Sequence, residues 1–177
     1  MRTLIDGAAL RLHAFAVGDV HWYDSLPVTS EYDDFGQSPP HNSMDRWRSD
    51  RLLTSENGLM VVAQRAEYAR LGTVGWRSVA WGPSYLSRSL EIGISLVPDA
   101  RGRGVGTEAQ WLLVRYLFAE THVERIQATT DVTNKAEQRA LEKVGFTAEG
   151  VLRHAQYRRD AYHDLVMYSI VRGDLAR

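Results

Sequence analysis

The sequence feature that most constrains the fold is a glycine-rich turn at residues 98–107. Before the turn, residues 89–97 alternate between apolar and other side chains, and this period of two predicts a β-strand. After the turn, apolar side chains recur at helical spacing over residues 104–120, which predicts an amphipathic helix. The chain therefore contains a strand that leads through a glycine-rich turn into a helix.

The composition of this turn indicates a phosphate-binding site. Backbone N–H groups at the start of a helix lack intrahelical partners, and the helix dipole adds partial positive charge there. Gly102, Gly104 and Gly106 let the backbone approach a phosphate without interference from a Cβ atom. Arg101 and Arg103 add charge and hydrogen-bond donors that suit phosphate oxygens.

Two other phosphate-binding motifs do not fit the turn. A Walker motif ends in Gly-Lys followed by Ser or Thr, and this ending is absent. The dinucleotide motif Gly-x-Gly-x-x-Gly requires a glycine where Thr107 or Ala109 stands. A nicotinamide cofactor is therefore not expected.

The rest of the sequence predicts a mixed sheet packed by helices. Further helices are predicted at residues 18–26, 44–55 and 134–144. Further strands are predicted at residues 59–66, 72–81, 125–131, 146–154 and 163–171. Gly145 is a suitable residue to end the last of these helices in the left-handed conformation. This order fits an α/β or α+β arrangement with helices on both faces of the sheet.

Composition and charge exclude several classes of protein. The formal net charge is -1, which does not favour binding to a nucleic-acid backbone. The absence of cysteine excludes disulfides and thiolate metal sites, and the six histidines show no metal-binding spacing. No apolar run is long enough to span a membrane, and the N-terminus lacks an export signal. We therefore expect a cytoplasmic protein without a metal and without a membrane or nucleic-acid partner.

The motifs resemble those of a known family, the GNAT superfamily of N-acetyltransferases. Residues 101–106 meet its pattern Gln/Arg-x-x-Gly-x-Gly/Ala. Asn134, followed by Leu-Glu-Lys-Val-Gly-Phe at residues 141–146, is similar to its second cofactor motif. Residues 161–164, with Met-Tyr at 167–168, are similar to the RimJ/RimL-type branch, which acetylates the N-termini of ribosomal proteins.

The resemblance covers residues 89–172 and implies a fold and an activity. The length of 177 residues suits one domain, residues 1–177. The fold that the resemblance implies has a mostly antiparallel seven-stranded sheet flanked by about four helices, with strands 4 and 5 splayed apart. The implied co-substrate is acetyl-CoA or another acyl-CoA. The implied reaction is direct attack of a primary amine on the thioester through a tetrahedral intermediate.

The resemblance also implies which residues bind the cofactor. The backbone of Leu96 and Val97 would pair with the pantetheine arm, and the amides of residues 103–107 would hold the pyrophosphate. Asn134 would contact the pantetheine or the departing thiol, although Asn134 with Glu137 is also a capping box for its own helix. The implied cofactor-binding residues are Leu96, Val97, Arg101, Gly102, Arg103, Gly104, Val105, Gly106, Thr107 and Asn134.

Glu91 is the candidate catalytic residue. Acyl transfer to an amine needs a base that removes a proton from the ammonium. Glu91 lies on the strand face opposite Leu90 and Ile92, and the resemblance places an acidic side chain near the acceptor amine there. The alternative is a strand glutamate that pairs with an arginine or remains in solvent.

The sequence does not assign the general acid that protonates the leaving thiolate. Many relatives carry a tyrosine where Leu141 stands, and the RimL-type branch often has a serine where Glu137 stands. Tyr157, Tyr162 and Tyr168 are chemically suitable, but we expect them to pack in the sheet. The thiolate can also leave unassisted.

His163 and Asp164 suggest a catalytic dyad, but sequence neighbours on a strand point to opposite faces. We therefore do not expect these two side chains to act together.

The least regular stretch, residues 27–42, is predicted to form the acceptor side of the site. A long irregular loop in a compact domain is more often functional than not. Its acidic residues Glu31, Asp33 and Asp34 form a patch that would attract a cationic acceptor. The candidate substrate-binding residues are Tyr32, Asp33, Asp34 and Phe35.

Three functional hypotheses remain. The leading one is an N-acetyltransferase that acts on a protein N-terminus or on a small amine. The second is a non-catalytic module that binds an acyl-CoA and a partner protein. The third is a transferase whose acyl donor is attached to a carrier protein or a tRNA. A homodimer is left open, with Trp22 and Trp47 as candidates for its contact or for the acceptor site, whereas Trp76, Trp81 and Trp111 are expected in the core.

Overall fold

Eight strands and four α-helices make up the part of the chain that the computed structural model describes, which is residues 1–27, 31–32 and 43–176. The strands are β1 (Leu4–Asp6), β2 (Leu10–Ala14), β3 (Asn57–Gln64), β4 (Arg70–Ala80), β5 (Arg88–Leu96), β6 (Arg125–Asp131), β7 (Thr147–Arg158) and β8 (Ala161–Val171). The helices are α1 (Val17–Asp24), α2 (Ser43–Asp50), α3 (Val105–Glu120) and α4 (Lys135–Val144). No helix within these residues combines the length and the apolar composition of a membrane span.

All eight strands form one sheet in the order β1-β2-β3-β4-β5-β6-β8-β7. Every neighbouring pair is antiparallel except β5 and β6, which are parallel. These two strands pair only through Leu90 with Ile126 and Glu91 with Gln127, in the residues described. Because β5 and β6 continue beyond these pairs without joining, the sheet is open between the carboxyl ends of the two strands.

Helices cover both faces of the sheet. On one face, α3 and α4 pack on the central strands and form the larger core. On the other face, α1 and α2 cover β3 with a smaller cluster, which consists of Phe15, Val20, Leu52 and Val61. The central strands β5 and β6 are therefore covered by α3 and α4 on one face of the sheet. On the other face, α1 and α2 lie over β3.

The predicted fold class is confirmed. The strand before the glycine-rich turn, the helix after it and β6 lie where the sequence places them, and Gly145 ends α4 with a φ of 107°. The sheet has eight strands instead of the seven that the resemblance implies. Helix α2 ends at Asp50 and not at residue 55, because Arg51 and Leu52 have φ values of 60° and 59°, which a right-handed helix does not allow.

The expectation for the tryptophans is correct for Trp76 and wrong for two others. Trp76 is buried, but Trp81 is 60% exposed and Trp111 is 40% exposed. Trp81 follows the last residue of β4, and Trp111 lies on the side of α3 that faces away from the sheet. Trp22 and Trp47 pack against the smaller core cluster, where the Trp47 indole donates to the Phe15 carbonyl at 2.7 Å.

Candidate functional site

The glycine-rich turn presents the amino end of α3. Gly102 and Gly104 have φ values of 68° and 81°, in the left-handed region that other residues adopt at a cost. The first intrahelical bond is donated by the Glu108 amide to the Gly104 carbonyl, at 3.1 Å. The amides of residues 105–107 therefore precede the helical hydrogen-bond ladder and are suited to bind an anion.

The two arginines of the turn have different positions. Arg101 is partly buried, and its Nε donates to the Leu96 carbonyl at 2.9 Å, which braces the turn against the end of β5. Arg103 is exposed and donates to the Asp99 carbonyl at 3.3 Å, so its charge lies at the surface of the turn. Two left-handed glycines, the first amides of α3 and an exposed guanidinium fit the pyrophosphate of a coenzyme A.

At the carboxyl end of β5, one backbone edge bonds to β4 and the other edge faces the opening between β5 and β6. The Val97 amide donates to the Leu71 carbonyl at 2.9 Å, so this group faces β4. Backbone groups alternate sides along a strand, and those of Ile94 and Leu96 therefore face the opening toward β6. Of the two residues that the resemblance assigns to the pantetheine arm, Leu96 presents its amide to the opening, while its carbonyl accepts from Arg101.

Asn134 caps α4 at the other side of the opening. Its Oδ1 accepts from the Glu137 amide at 3.2 Å, and its own amide donates to the Asp131 carbonyl at 2.9 Å. The predicted capping box is formed only by half, because the Glu137 side chain contacts the side chain of Gln110 in α3. This contact between α3 and α4 has no signal in the sequence, because it joins two helices that are distant along the chain.

Glu91 lies on the sheet face opposite α3 and α4, and its side chain is 15% exposed. Its carboxylate accepts hydrogen bonds from Arg77 at 3.0 Å, from Gln127 at 3.1 Å and from Thr129 at 3.2 Å. The pairing with an arginine, which the sequence left open, is therefore present. The Arg77 side chain is 68% exposed, so the ion pair reaches solvent on this face.

A row of polar side chains continues from Glu91 along the same face. Gln127 is buried, and its Oε1 accepts from Trp81 at 2.9 Å and from Ser89 at 3.3 Å. A pocket of about 420 Å³ opens next to Trp81 and is bordered by Leu86, Arg88, Arg125 and Glu149, among others. The sequence signal for this row is the alternation in β6, where Gln127 and Thr129 flank an apolar residue.

A second polar cluster lies at the carboxyl end of β6. Asp131 is buried, contacts the Arg158 guanidinium and lies 3.1 Å from His163 Nδ1. Burial opposes ionisation of Asp131, but hydrogen bonds from Thr133 and the charge of Arg158 outweigh burial, so the pKa of Asp131 is lowered. The Nε2 atom of His163 is buried and has no hydrogen-bond partner within the described ranges.

His163 does not pair with Asp164. Asp164 accepts from the His154 amide at 2.7 Å, as expected for side chains on opposite faces of a strand. The expectation that the three tyrosines pack in the sheet is correct for Tyr168, which is buried. It is wrong for Tyr157 and Tyr162, which are 59% and 64% exposed at the end of the β7–β8 hairpin.

The candidate substrate-binding residues fall mostly outside the described residues. Tyr32 is described, and its hydroxyl lies 2.9 Å from Thr133 Oγ1. The Glu31 carbonyl accepts from Arg158 at 2.7 Å. These contacts hold residues 31–32 at the carboxyl end of β6. Three further candidates lie outside the described residues: Asp33, Asp34 and Phe35.

The structure brings the candidate groups to one opening. The glycine-rich turn and Asn134 begin the helices that follow β5 and β6, and Glu91 lies where these two strands last pair. No group of three or more His, Asp or Glu side chains that could hold a metal ion occurs in the portion of the chain that is described.

Comparison with known proteins agrees with this geometry. The family "Acetyltransferase (GNAT) domain" matches residues 10–147. The uncharacterized N-acetyltransferase YoaA of Bacillus subtilis is 34% identical over 122 residues, which is 68% of this chain and 67% of the relative. The putative ribosomal N-acetyltransferase YdaF of the same organism is 32% identical over 89 residues, which is 50% of this chain and 49% of the relative.

A solved structure of the spermidine N-acetyltransferase from Vibrio cholerae, in complex with CoA and spermine, has the same fold. It superposes with a TM-score of 0.77 at 20% identity, and the match covers 96% of this chain and 99% of that chain. The resemblance inferred from the motifs, including its similarity to ribosomal N-acetyltransferases, is thus confirmed. The chain belongs to the GNAT family and is an N-acetyltransferase.

Proposed function

We propose that this N-acetyltransferase uses acetyl-CoA and acetylates the primary amine of a cationic acceptor, either a protein N-terminus or a small polyamine-like molecule. The observation that supports the proposal is the opening between β5 and β6, with an anion-binding turn on one side of the sheet and a carboxylate on the other. Donor and acceptor can therefore reach the same point from opposite faces.

The turn at residues 101–107 and the opening form the donor side of the site. The amides at the start of α3 and the exposed Arg103 hold the pyrophosphate. The backbone groups of Ile94 and the amide of Leu96, which have no partner from β6, pair with the pantetheine arm as a neighbouring strand would. Bound acetyl-CoA supplies the activated acyl group, and Asn134 lies beside its path at the start of α4.

The sheet face that carries Glu91 forms the acceptor side. Glu91 is an ionisable carboxylate, held in place by Gln127 and Thr129 and open to solvent near Arg77. In this role Glu91 takes a proton from the acceptor ammonium, either directly or through a water molecule. The segment at residues 31–32, docked on Arg158 and Thr133, borders the same face.

Two kinds of acceptor have specific support. YdaF, the relative described as a putative ribosomal N-acetyltransferase, favours a protein N-terminus. The Vibrio cholerae structure is of a spermidine N-acetyltransferase with spermine, and its likeness favours a small polycationic amine. Steady-state acetylation of peptides that begin with Ser or Ala, measured beside spermidine and an aminoglycoside, separates the two by their kcat/KM values.

The donor is tested by thermal unfolding with and without acetyl-CoA. Ligand at about 100 times its dissociation constant should stabilise the protein by about 2.7 kcal/mol. The double variant Arg103→Ala/Gly104→Asp should lose this stabilisation, whereas Arg115→Ala, on the exposed side of α3, should keep it. Stabilisation without transfer to any amine would indicate a non-catalytic module, and no stabilisation would indicate a carrier-bound or tRNA-bound donor.

A further inference from the structure

Glu137 is a partly buried acidic residue on the side of α4 that faces the core. Glu137, Leu141 and Val144 are spaced by four and three residues, so they lie on one face of the helix. Leu141 and Val144 are buried in the core that packs on β5 and β6. A carboxyl group in this apolar row is costly to place there unless it is hydrogen-bonded or carries a proton.

The partner of Glu137 links it to the glycine-rich turn. Its carboxyl contacts the side chain of Gln110, which is 1% exposed in the first turns of α3. Gln110 Nε2 in turn donates to the Gly106 carbonyl at 3.3 Å. One amide side chain therefore separates the Glu137 carboxyl from the turn that fits the pyrophosphate.

Glu137 and Glu91 lie on opposite faces of the sheet beside the same opening. Helix α4 follows β6, and its first turn lies at the carboxyl end of that strand, where β5 and β6 no longer pair. Glu137 faces the sheet from the side of α3 and α4, which is the donor side, whereas Glu91 lies on the acceptor side. The site therefore has one carboxyl group for each reactant.

The two carboxyl groups are in different environments. Burial raises the pKa of Glu137 to about 7, and the hydrogen bond from Gln110 opposes this effect only in part. The acidic groups on the elements packed against α4 bond elsewhere: Glu108 of α3 accepts from amides near β2, and Glu149 of β7 pairs with Arg125. On α4 itself, the Lys135 ammonium donates to Gln138. With a pKa of about 7, the partly buried Glu137 carboxyl is about half protonated at neutral pH and can both donate and regain a proton there.

We propose that Glu137 is the general acid that protonates the leaving thiolate. As the carbon–sulfur bond breaks, sulfur takes the bonding electron pair and then the proton of the Glu137 carboxyl, which becomes a carboxylate. The acceptor ammonium releases two protons in forming the amide; the sulfur gains one, Glu137 is reprotonated from solvent, and one proton is released overall. This inference rests on the proposed function and assigns the acid that the tyrosine and serine patterns of the family do not supply here.

The competing explanation is a structural hydrogen bond between α3 and α4. Replacing Glu137 by glutamine separates the two explanations, because glutamine keeps the size and the contact with Gln110 but cannot donate a proton as an acid. The matched control is Glu142→Gln, which makes the same change on the exposed side of the same helix and keeps an oxygen that accepts from the Tyr168 hydroxyl.

The first experiment measures kcat and KM against pH for the wild type and both variants. We expect Glu137→Gln to lower kcat about 100-fold with little change in the KM for acetyl-CoA. The wild-type kcat should fall as pH rises through about 7, and this fall should be absent in Glu137→Gln but present in Glu142→Gln. A Glu137→Gln enzyme with wild-type kcat would overturn the proposal.

The second experiment does not depend on activity. Calorimetric titration of coenzyme A into the protein at about pH 7, in buffers of different ionisation enthalpy, counts the protons exchanged on binding. We expect an exchange in the wild type and in Glu142→Gln that Glu137→Gln abolishes. Equal exchange in all three proteins would show that binding of coenzyme A does not change the protonation of the Glu137 carboxyl. That result would overturn the inference.

These outcomes also separate this inference from the proposed function. A wild type that acetylates an amine, together with an equally active Glu137→Gln variant, would refute only the role of Glu137. A wild type that binds coenzyme A but acetylates no amine would refute the proposed function and, with it, the role of Glu137.

Discussion

The carboxylate of Asp131, at the end of β6, contacts the guanidinium of Arg158, at the end of β7, and both side chains are more than nine-tenths buried. Arg158 also donates to the Glu31 carbonyl, so the ion pair connects the sheet to the segment at residues 31–32. A buried pair of this kind adds little stability by its presence, but loss of one partner is costly.

Asp131→Asn should lower the free energy of unfolding by about 3 kcal/mol, because the buried guanidinium loses the carboxylate that it contacts. Urea unfolding at neutral pH measures the effect. Asp160→Asn, in the exposed β7–β8 turn, is the control and should change stability by less than about 0.5 kcal/mol. Since the pKa of Asp131 is lowered, its contribution is present above about pH 4 and is lost as pH falls below that value. Equal effects of the two substitutions would contradict this account.

Glu137 should make stability fall as pH rises. Its pKa is raised to about 7 in the folded protein, so the folded state binds the proton more tightly than the unfolded state. Stability from this group is therefore complete below about pH 4.5 and is lost as pH rises through about 7, a change of about 3 kcal/mol. Between about pH 5 and about pH 8, the free energy of unfolding of the wild type should therefore fall by about 2.5 kcal/mol relative to that of Glu137→Gln. A difference that is the same at both pH values would contradict the expected burial effect.

Glu91→Gln should lower kcat by about 100-fold and leave the affinity for acetyl-CoA nearly unchanged, because the lost carboxylate acts on the acceptor. Initial rates and thermal shifts with acetyl-CoA measure the two quantities. Glu56→Gln is a suitable control, since Glu56 is an exposed carboxylate that pairs with Arg88. Equal turnover in Glu91→Gln would remove Glu91 from the mechanism.

Gly104→Ala should destabilise the protein by about 1 kcal/mol, because alanine adopts the left-handed conformation of this position at a cost. Acetyl-CoA binding should weaken as well, since the first amides of α3 are oriented by this turn. A Cβ atom at Gly104 would meet no neighbouring atom among the described residues, so any loss reflects backbone conformation and not a clash. Gly173→Ala is the control, because Gly173 also has open space but no left-handed φ. If both variants unfold and bind alike, the turn does not depend on this glycine.

The sequence predicts the strand, turn and helix at residues 89–120 because each has a strong periodic pattern or a distinct glycine content. It does not predict β1 and β2, which have three and five residues and are too short to show a period. Helix α2 is predicted too long, because nothing in the composition marks Arg51 and Leu52 as left-handed.

Contacts within the candidate site are harder to predict, since they depend on strand register and on distant elements. The pairing of Glu91 with Arg77 follows from their opposite positions in β5 and β4, which the sequence does not specify. The cluster of Asp131, Arg158 and His163 joins three strands, and only the fold brings them together. Glu137 appears in the sequence as half of a capping box, and its contact with Gln110 forms only when α3 and α4 are packed together.

The short parallel contact between β5 and β6 has a consequence for cohesion of the whole sheet. Two residue pairs join a part made of β1 to β5 with a part made of β6 to β8, so backbone hydrogen bonding across this seam is weaker than within either part. A ligand that pairs with the exposed edge of β5 adds hydrogen bonds at the seam and so becomes a structural element as well as a reactant. Release of that ligand removes those hydrogen bonds again, so the number of backbone bonds across the seam changes with each catalytic cycle.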